Sequence, residues 1–108
     1  MKKGDICQVV LPIGVGSEQY GERPAIVVAQ ATRNFVIVIP LTSNRDALRF
    51  LHTFLISPTG SNGLKETSVA LVFHLRSIAV SRVVKTLGRI DSKIKAKISH
   101  STKTMLDL

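Results

Sequence analysis

Residues 16–29 read GSEQYGERPAIVVA, a polar stretch that leads through Arg23 and Pro24 into an apolar run. The run at 25–30 is nearly continuous, which is typical of a strand buried on both faces. Pro24 lacks a backbone donor, so we expect the strand to begin there and the residues before it to form a loop. The stretch therefore predicts an arginine held at the start of a buried strand.

Other short apolar segments on both sides of this stretch predict further strands. They are rich in Ile and Val and are separated by polar turns at 31–34 and 57–63. We expect Pro12 and Pro40 to end the strands that precede them. Two of the segments form either one long strand or two bent ones. The predicted strands are 5–11, 35–39, 52–56, the ambiguous pair 69–72 and 75–80, and 83–87.

The last part of the chain predicts an amphipathic helix. Gly88 permits a sharp change of direction after the final strand, and Asp91 is a good N-cap. Apolar residues recur at helical spacing, with lysines elsewhere on the wheel. A mainly β chain with one terminal helix indicates a small, strongly bent β-barrel that the helix caps. At 108 residues we expect a single domain covering 1–108.

Composition narrows the class of protein. Hydrophobic residues make up 44% of the chain, which argues against disorder. No apolar run approaches ~20 residues, and the first residues lack the apolar stretch of a signal peptide, so we expect a cytoplasmic protein and no membrane contact. The single cysteine, Cys7, cannot form an internal disulfide. Its apolar surroundings favour a buried structural thiol over a reactive one.

The charge of the chain is strongly basic and uneven. Fifteen Lys and Arg residues face seven acidic ones, a net charge of +8. Residues 76–108 hold eight basic and two acidic residues, a net +6, so the first 75 residues contribute +2. Such a balance indicates a polyanionic partner, either a nucleic acid or an acidic protein, although a solvated basic helix face would read the same way.

Nothing in the sequence predicts a metal site or a cofactor. His52, His74 and His100 lie on different predicted elements, and Glu18 and Glu22 lie together on one loop. RNA offers chemistry that needs neither, because its 2′-hydroxyl can attack the adjacent phosphate. The protein then has to orient the sugar and stabilise the extra negative charge, which suits an arginine fork and a fixed hydroxyl.

Arg23 and Thr42 supply those two groups. Each also has a purely structural interpretation that the sequence leaves open. Arg23 can extend from a strand end or pair with Glu22, and the hydroxyl of Thr42 can cap a turn.

Several segments, taken together, resemble the MazF/PemK family of bacterial toxin ribonucleases. GSEQ-x-G-x-RP at 16–24, PLTS at 40–43 and LRSI at 75–78 occur in the family order and spacing. The resemblance implies an SH3-like β-barrel (the CcdB/PemK-like toxin fold) that forms a homodimer. It also implies cleavage of single-stranded RNA at short sequences, leaving a 2′,3′-cyclic phosphate and a 5′-hydroxyl. A MazE-like antitoxin would silence the toxin.

The same resemblance assigns residues to the site. Arg23 would contact the scissile phosphate, and Thr42 would be the catalytic threonine. Side chains that would bind RNA are Ser17, Glu18, Gln19, Ser43, His74 and Arg76. For two of these the sequence leaves structural roles open, since His74 can pack and Arg76 can pair with an acid.

The chain also departs from the family pattern at the segment before LRSI. Many members carry Glu-Gln where this chain has Phe73-His74, and the plasmid PemK branch has an arginine where Leu71 stands. The acid–base mechanism of that branch is therefore not expected here, which leaves Arg23 and Thr42 as the catalytic pair. The alternative function is that of a non-catalytic relative, as in the CcdB toxins that bind DNA gyrase.

Overall fold

The computed structural model describes residues 1–12 and 21–108, which form seven strands, one α-helix and three short 3-10 helices. The helix, α1, spans Ser92–Leu106. The 3-10 helices span Arg45–Arg49, Val72–His74 and Val80–Arg82. The strands are β1 (Asp5–Leu11), β2 (Gly21–Gln30), β3 (Phe35–Thr42), β4 (Thr53–Ile56), β5 (Ser68–Leu71), β6 (Arg76–Ala79) and β7 (Val83–Arg89).

The strands make one antiparallel sheet in the order β4-β5-β3-β2-β1-β7, with β6 also paired to β3. The pairings of β1 with β7 and of β2 with β3 contain register shifts. Such irregularities increase local twist and let a sheet bend. Among the described strands the sheet stays open, with β4 and β7 at its ends. The prediction of a mainly β fold with a C-terminal helix is confirmed.

Both faces of the central strands are buried, because neighbouring residues enter two different cores. Ile6 and Ile26 belong to the core that α1 covers, while Cys7 and Val27 belong to the core on the opposite face. This is the alternation that a pleated strand produces. The prediction that the run after Pro24 is buried on both faces is therefore confirmed.

Strand β2 begins earlier than predicted, at Gly21 rather than after Pro24. Its first residues pair with the end of β1, so Arg23 and Pro24 lie within the strand. β3 pairs with β2 only from Ala25 onward. Pro24 therefore has no paired strand on one side, so its missing N–H group breaks no backbone hydrogen bond there.

Pro40 does not end β3, which continues to Thr42, so that prediction was wrong. The first half of β3 pairs with β6 and its last two residues pair with β5. Pro40 lies at the change of partner, where a residue without a backbone donor is tolerated. The strand consequently carries Thr42 further along the sheet than a loop position would.

The remaining strands follow the prediction with small changes. β1 has the predicted bounds, and the ambiguous segment is two strands, β5 and β6, separated by a 3-10 helix. β7 runs to Arg89, so Gly88 lies inside a strand instead of at a change of direction. A Cβ at Gly88 would collide with the backbone at Ser61 and Asn62, so this glycine permits close approach of a loop.

Helix α1 is fastened at its start and through its apolar face. The Asp91 carboxylate accepts a hydrogen bond from the Ile94 amide at 2.9 Å, as an N-cap should. Ile98 is buried against the sheet. Just before the helix, Arg89 donates to the Asp5 carboxylate at 2.8 Å, which links β7 to β1. The predicted amphipathic helix is confirmed.

Cys7 is fully buried, as predicted, with its Sγ 3.8 Å from the Thr86 hydroxyl. Burial raises the pKa of its thiol. The thiolate is the nucleophilic form, so this cysteine is a structural residue.

None of the helices within 1–12 and 21–108 is both long and apolar enough to cross a membrane.

Candidate active site

A cleft of about 500 Å³ lies where the end of β3 meets the start of β2, β7 and the segment after the 57–63 turn. Arg23, Thr42 and Ser43, three of the residues singled out in the sequence, lie along it. Among the described residues, its lining is Gln8, Glu22, Arg23, Pro24, Leu41, Thr42, Ser43, Gly63, Leu64, Lys65, Glu66, Ser68, Val84, Lys85 and Leu87.

Arg23 reaches this cleft from the third residue of β2. It pairs with Val9 of β1 in the register of the sheet, and its side chain is half-buried. Backbone pairing on one side and the adjacent Pro24 restrict the main chain at this point. The guanidinium is thus carried by a strand, which is a more rigid support than the loop end that the sequence predicted.

Thr42 is the last residue of β3 and is 8% exposed. Its hydroxyl oxygen accepts a hydrogen bond from the Asn44 amide at 3.2 Å, which is the turn-capping role that the sequence left open. A hydroxyl has one donor and two acceptor sites, so this bond leaves its proton available to a ligand. The same contact fixes the oxygen, which makes Thr42 a positioned donor at the wall of the cleft.

The opposite wall is held by the buried amide of Asn62, which is 3% exposed. Its oxygen accepts from the amides of Thr59 at 3.1 Å and Leu64 at 3.0 Å. Its nitrogen donates to the Ser57 carbonyl at 2.9 Å. One side chain therefore satisfies three backbone groups of a turn that has no strand to pair with.

Two glycines allow this turn to lie directly against β7. Gly63 has a φ of +71°, and a Cβ there would collide with the Leu87 carbonyl group. Gly88 of β7 allows the same close contact from the strand side, because a Cβ there would collide with the turn at Ser61 and Asn62. The Arg89 amide also donates to the Ser61 carbonyl at 2.9 Å. The residues that follow Gly63 are thereby carried to the cleft.

Sequence reasoning missed several polar side chains of the cleft. Gln8 is the partner of both Lys85 on β7 and Pro24 on β2, so the register brings residues from three strands into one row. Lys65 and Glu66 come from the turn wall. No motif marks these positions. Only the strand pairing could have indicated that Lys85 and Pro24 lie on either side of Gln8.

Charges of both signs line the cleft. Of the part of the chain that the structure describes, three cationic side chains, Arg23, Lys65 and Lys85, lie there with Glu22 and Glu66. The balance is net positive, which favours an anionic ligand such as a phosphodiester.

Other predicted site residues do not lie in this cleft. His74 ends a 3-10 helix and Arg76 starts β6, where it pairs with Val38. Neither belongs to the lining. Ser17, Glu18 and Gln19 lie outside the described residues. Across 1–12 and 21–108, His, Cys, Asp and Glu side chains form no group of three that could hold a metal ion.

The sequence profile of one protein family, described as PemK-like, MazF-like toxin of type II toxin-antitoxin system, matches residues 2–106. The chain belongs to this toxin family. It is also 36% identical over 117 residues to Endoribonuclease MazF9 of Mycobacterium tuberculosis, covering 100% of this chain and 98% of that protein. The resemblance seen in the sequence is confirmed.

Solved structures share the fold of this toxin. MazF (Form-I) of Deinococcus radiodurans superposes with a TM-score of 0.82 at 22% identity, covering 100% of this chain and 97% of that one. An endoribonuclease in complex with its cognate antitoxin, from Mycobacterial species, gives a TM-score of 0.72 at 19% identity, covering 98% and 94%. The bent sheet with its terminal helix is therefore the fold of MazF toxins.

Proposed function

We propose that this chain is a toxin endoribonuclease that cleaves single-stranded RNA at specific short sequences in the cleft. The observation that carries the proposal is that Arg23 and Thr42, from two adjacent strands, line the same net-positive cleft. The chemistry of each follows from its position. The activity of the M. tuberculosis relative, which is named an endoribonuclease, supports the assignment.

Arg23 is the catalytic group that stabilises charge. When the 2′-oxygen of the RNA bonds to phosphorus, the phosphate gains negative charge on its non-bridging oxygens. A guanidinium fork donates to two such oxygens at once and remains charged at any working pH. Because a strand fixes its main chain, it pays little reorganisation cost when the charge develops.

Thr42 orients the reacting groups. Its oxygen accepts from the Asn44 amide, which leaves its proton available to donate to a ligand in the cleft. A donor fixed in this way keeps the attacking 2′-oxygen and the phosphate in line, which lowers the barrier through positioning.

The reaction exchanges one ester for another. The 2′-hydroxyl loses its proton to solvent water as its oxygen bonds to phosphorus, the bond to the 5′-oxygen breaks, and that oxygen takes a proton from solvent water. The products are a 2′,3′-cyclic phosphate and a 5′-hydroxyl. RNA supplies its own nucleophile and Arg23 supplies the charge, so we expect no requirement for a metal ion or cofactor.

The proposal includes partners. Ser43 lies at the cleft and, with Ser17, Glu18, Gln19, His74 and Arg76, forms the proposed RNA-binding set. We infer a MazE-like antitoxin, since a solved relative is an endoribonuclease bound to its cognate antitoxin. We also infer a homodimer, from membership of the MazF/PemK family. The site of action would be the cytoplasm, where RNA is available.

The decisive experiment maps new 5′ ends after incubating the purified toxin with a long RNA. We expect cuts at a recurring short sequence, 5′-hydroxyl ends and equal rates with and without EDTA. An oligonucleotide with a 2′-deoxy sugar at the cut should stay intact, because it lacks the attacking hydroxyl. Loss of activity in EDTA or cleavage of the deoxy-substituted site would overturn the mechanism.

Gyrase binding, the alternative drawn from the CcdB toxins, is not favoured. The relative that shares 36% identity over the whole chain is named an endoribonuclease.

A further inference from the structure

Four side chains outside the cleft form one continuous run of tilted ring contacts and a cation–π contact, which we call the aromatic stack: Arg49, Phe50, Phe73 and His74. The ring centroids of Phe50 and Phe73 are 5.3 Å apart, and those of Phe73 and His74 are 4.3 Å apart. The Arg49 guanidinium carbon lies 4.8 Å from the Phe50 ring centroid. The Phe50–Phe73 and Arg49–Phe50 spacings are within the usual range for aromatic and cation–π contacts, and the Phe73–His74 contact is slightly closer.

The aromatic stack is not part of either hydrophobic core. Neither Phe50 nor Phe73 belongs to the buried clusters or to the residues packed against them, whereas Phe54, four residues after Phe50, does. Phe50 is 39% exposed, and Arg49 is exposed beside it. The rings contact each other at the surface, so this packing does not serve to fill either core.

Backbone contacts hold both halves of the aromatic stack in place. Phe50 ends the Arg45–Arg49 3-10 helix, whose start is capped by Asn44 through a 3.0 Å bond to the Asp46 amide. The Phe50 carbonyl accepts from the Thr53 hydroxyl at 2.9 Å. On the other side, the Val72 amide donates to the His52 carbonyl at 3.0 Å, directly before Phe73. A surface held this firmly is organised before any ligand arrives.

The aromatic stack lies close to the catalytic threonine along the chain. Thr42 pairs with Val69 of β5, and Phe73 follows four residues after Val69. Thr42 also binds the Asn44 amide, and Asn44 caps the helix that ends at Phe50. At strand and 3-10 rises, this places Phe73 roughly 10 to 15 Å from Thr42, a distance that a few nucleotides span.

We propose that the aromatic stack is a nucleobase-stacking subsite for the single-stranded RNA whose scissile phosphate occupies the cleft. Unpaired bases present flat π-faces that stack on aromatic rings and guanidinium planes. Arg49 and the neighbouring Arg45 add positive charge for the backbone. The inference rests on the proposed endoribonuclease function and adds to it a second binding point, made by residues that this chain carries at the Phe73-His74 departure.

The first test uses fluorescence, because the chain contains no tryptophan. Phe50→Trp places one indole in the aromatic stack, and Phe35→Trp places one at the start of β3, where Phe35 is 47% exposed. The probe is an RNA spanning a mapped cut, with a 2′-deoxy sugar at that cut. Emission of Phe50→Trp should be quenched on RNA saturation, while that of Phe35→Trp should stay unchanged. Equal responses in the two variants would overturn the proposal.

The second test measures RNA affinity with single abasic positions in the same oligonucleotide. Phe50→Ala should weaken binding by roughly 5- to 100-fold, from the stacking energy of one base. That loss should vanish when the stacked nucleotide is the abasic one. A loss that is identical for every oligonucleotide, or that accompanies conversion of a dimer to a monomer in light scattering, would assign this face to a second copy of the chain and refute the stacking subsite.

Failure of the proposed function and failure of the stacking subsite give different results. If the wild-type protein cuts no RNA, the proposed function fails, and quenching of Phe50→Trp by a mixed-sequence single-stranded RNA still tests the aromatic stack. If the protein cuts RNA but Phe50→Trp is not quenched, only the subsite is wrong. A protein that binds no RNA at all refutes both.

Discussion

The two walls of the cleft are built by different means. Arg23 and Thr42 lie on β2 and β3, where Arg23 pairs with Val9 of β1 and Thr42 pairs with Val69 of β5. The opposite wall, which carries Lys65 and Glu66, depends on one buried amide, two glycine contacts and one backbone hydrogen bond to β7. Many residues share the backbone hydrogen bonds of the sheet, whereas only a few contacts hold the turn. The groups proposed for chemistry thus lie on the more redundant support.

The largest effect should come from the strand wall. Arg23→Ala should lower the cleavage rate by about 10² to 10³, or roughly 3 to 4 kcal/mol, because it removes the charge opposite the phosphorane. Arg23→Lys should recover little of this loss, since an ammonium cannot reproduce the planar fork. Single-turnover cleavage of a labelled RNA measures both variants. Near wild-type rates in Arg23→Ala would place the active site elsewhere.

A change of similar size, but in stability, should follow from the turn wall. Gly63→Ala introduces a Cβ at positive φ against the Leu87 carbonyl, and it should lower the free energy of unfolding by about 3 kcal/mol. Gly60→Ala is the matched control, because a Cβ there meets nothing within 4 Å. Urea unfolding compares the two. Equal free energies of unfolding in the two variants would mean that the turn accommodates the added Cβ and does not need Gly63.

Thr42 offers a smaller test that separates orientation from packing. Thr42→Val keeps the shape of this buried residue but removes the hydroxyl, and it should slow cleavage roughly 10- to 100-fold with little change in RNA affinity. Thr42→Ser keeps the hydroxyl and should stay near the wild-type rate. A Val variant that is impaired only in RNA binding would show that the hydroxyl binds RNA and does not orient the reacting groups.

The smallest effect concerns charge on the far side of the cleft. Lys85→Ala should reduce the slope of log affinity against log salt concentration by about 1, as expected on loss of one phosphate contact. Lys93→Ala removes the same charge from an exposed position on α1 and should leave the slope nearly unchanged. RNA binding titrated at several salt concentrations distinguishes them. Identical slopes in the two variants would remove Lys85 from the RNA path.

Local signals predicted the parts of this fold that rest on local physics. β1 and the Asp91 cap follow from apolar alternation and capping chemistry. The prolines misled, because a strand tolerates Pro24 or Pro40 wherever one edge lacks a partner, and partners are set by the whole sheet. The 3-10 helix Arg45–Arg49 was missed, since five residues without periodicity give no signal.

The residues of the site likewise fall into those that the sequence predicted and those that it did not. Arg23 and Thr42 were identified through motif resemblance, and the structure brings both to one cleft. Gln8 and Lys85 could not be found, because they are distant in the chain and meet only through the register of β7, β1 and β2. Lys65 could not be found either, because it reaches the cleft through the turn that packs against β7. The same limit hid the contact of Phe50 with Phe73, which depends on how two 3-10 helices approach each other.

The order in which the cleft is assembled has a consequence for synthesis of the toxin. Its lining begins at Gln8 and ends at Leu87, and the walls come from β2 and β3 early in the chain and from β7 late. Long-range pairing of this kind waits for the last strand. A nascent chain on the ribosome therefore cannot complete the cleft until residue 87 has emerged. Until then, an unfinished chain has no complete cleft in which to hold RNA.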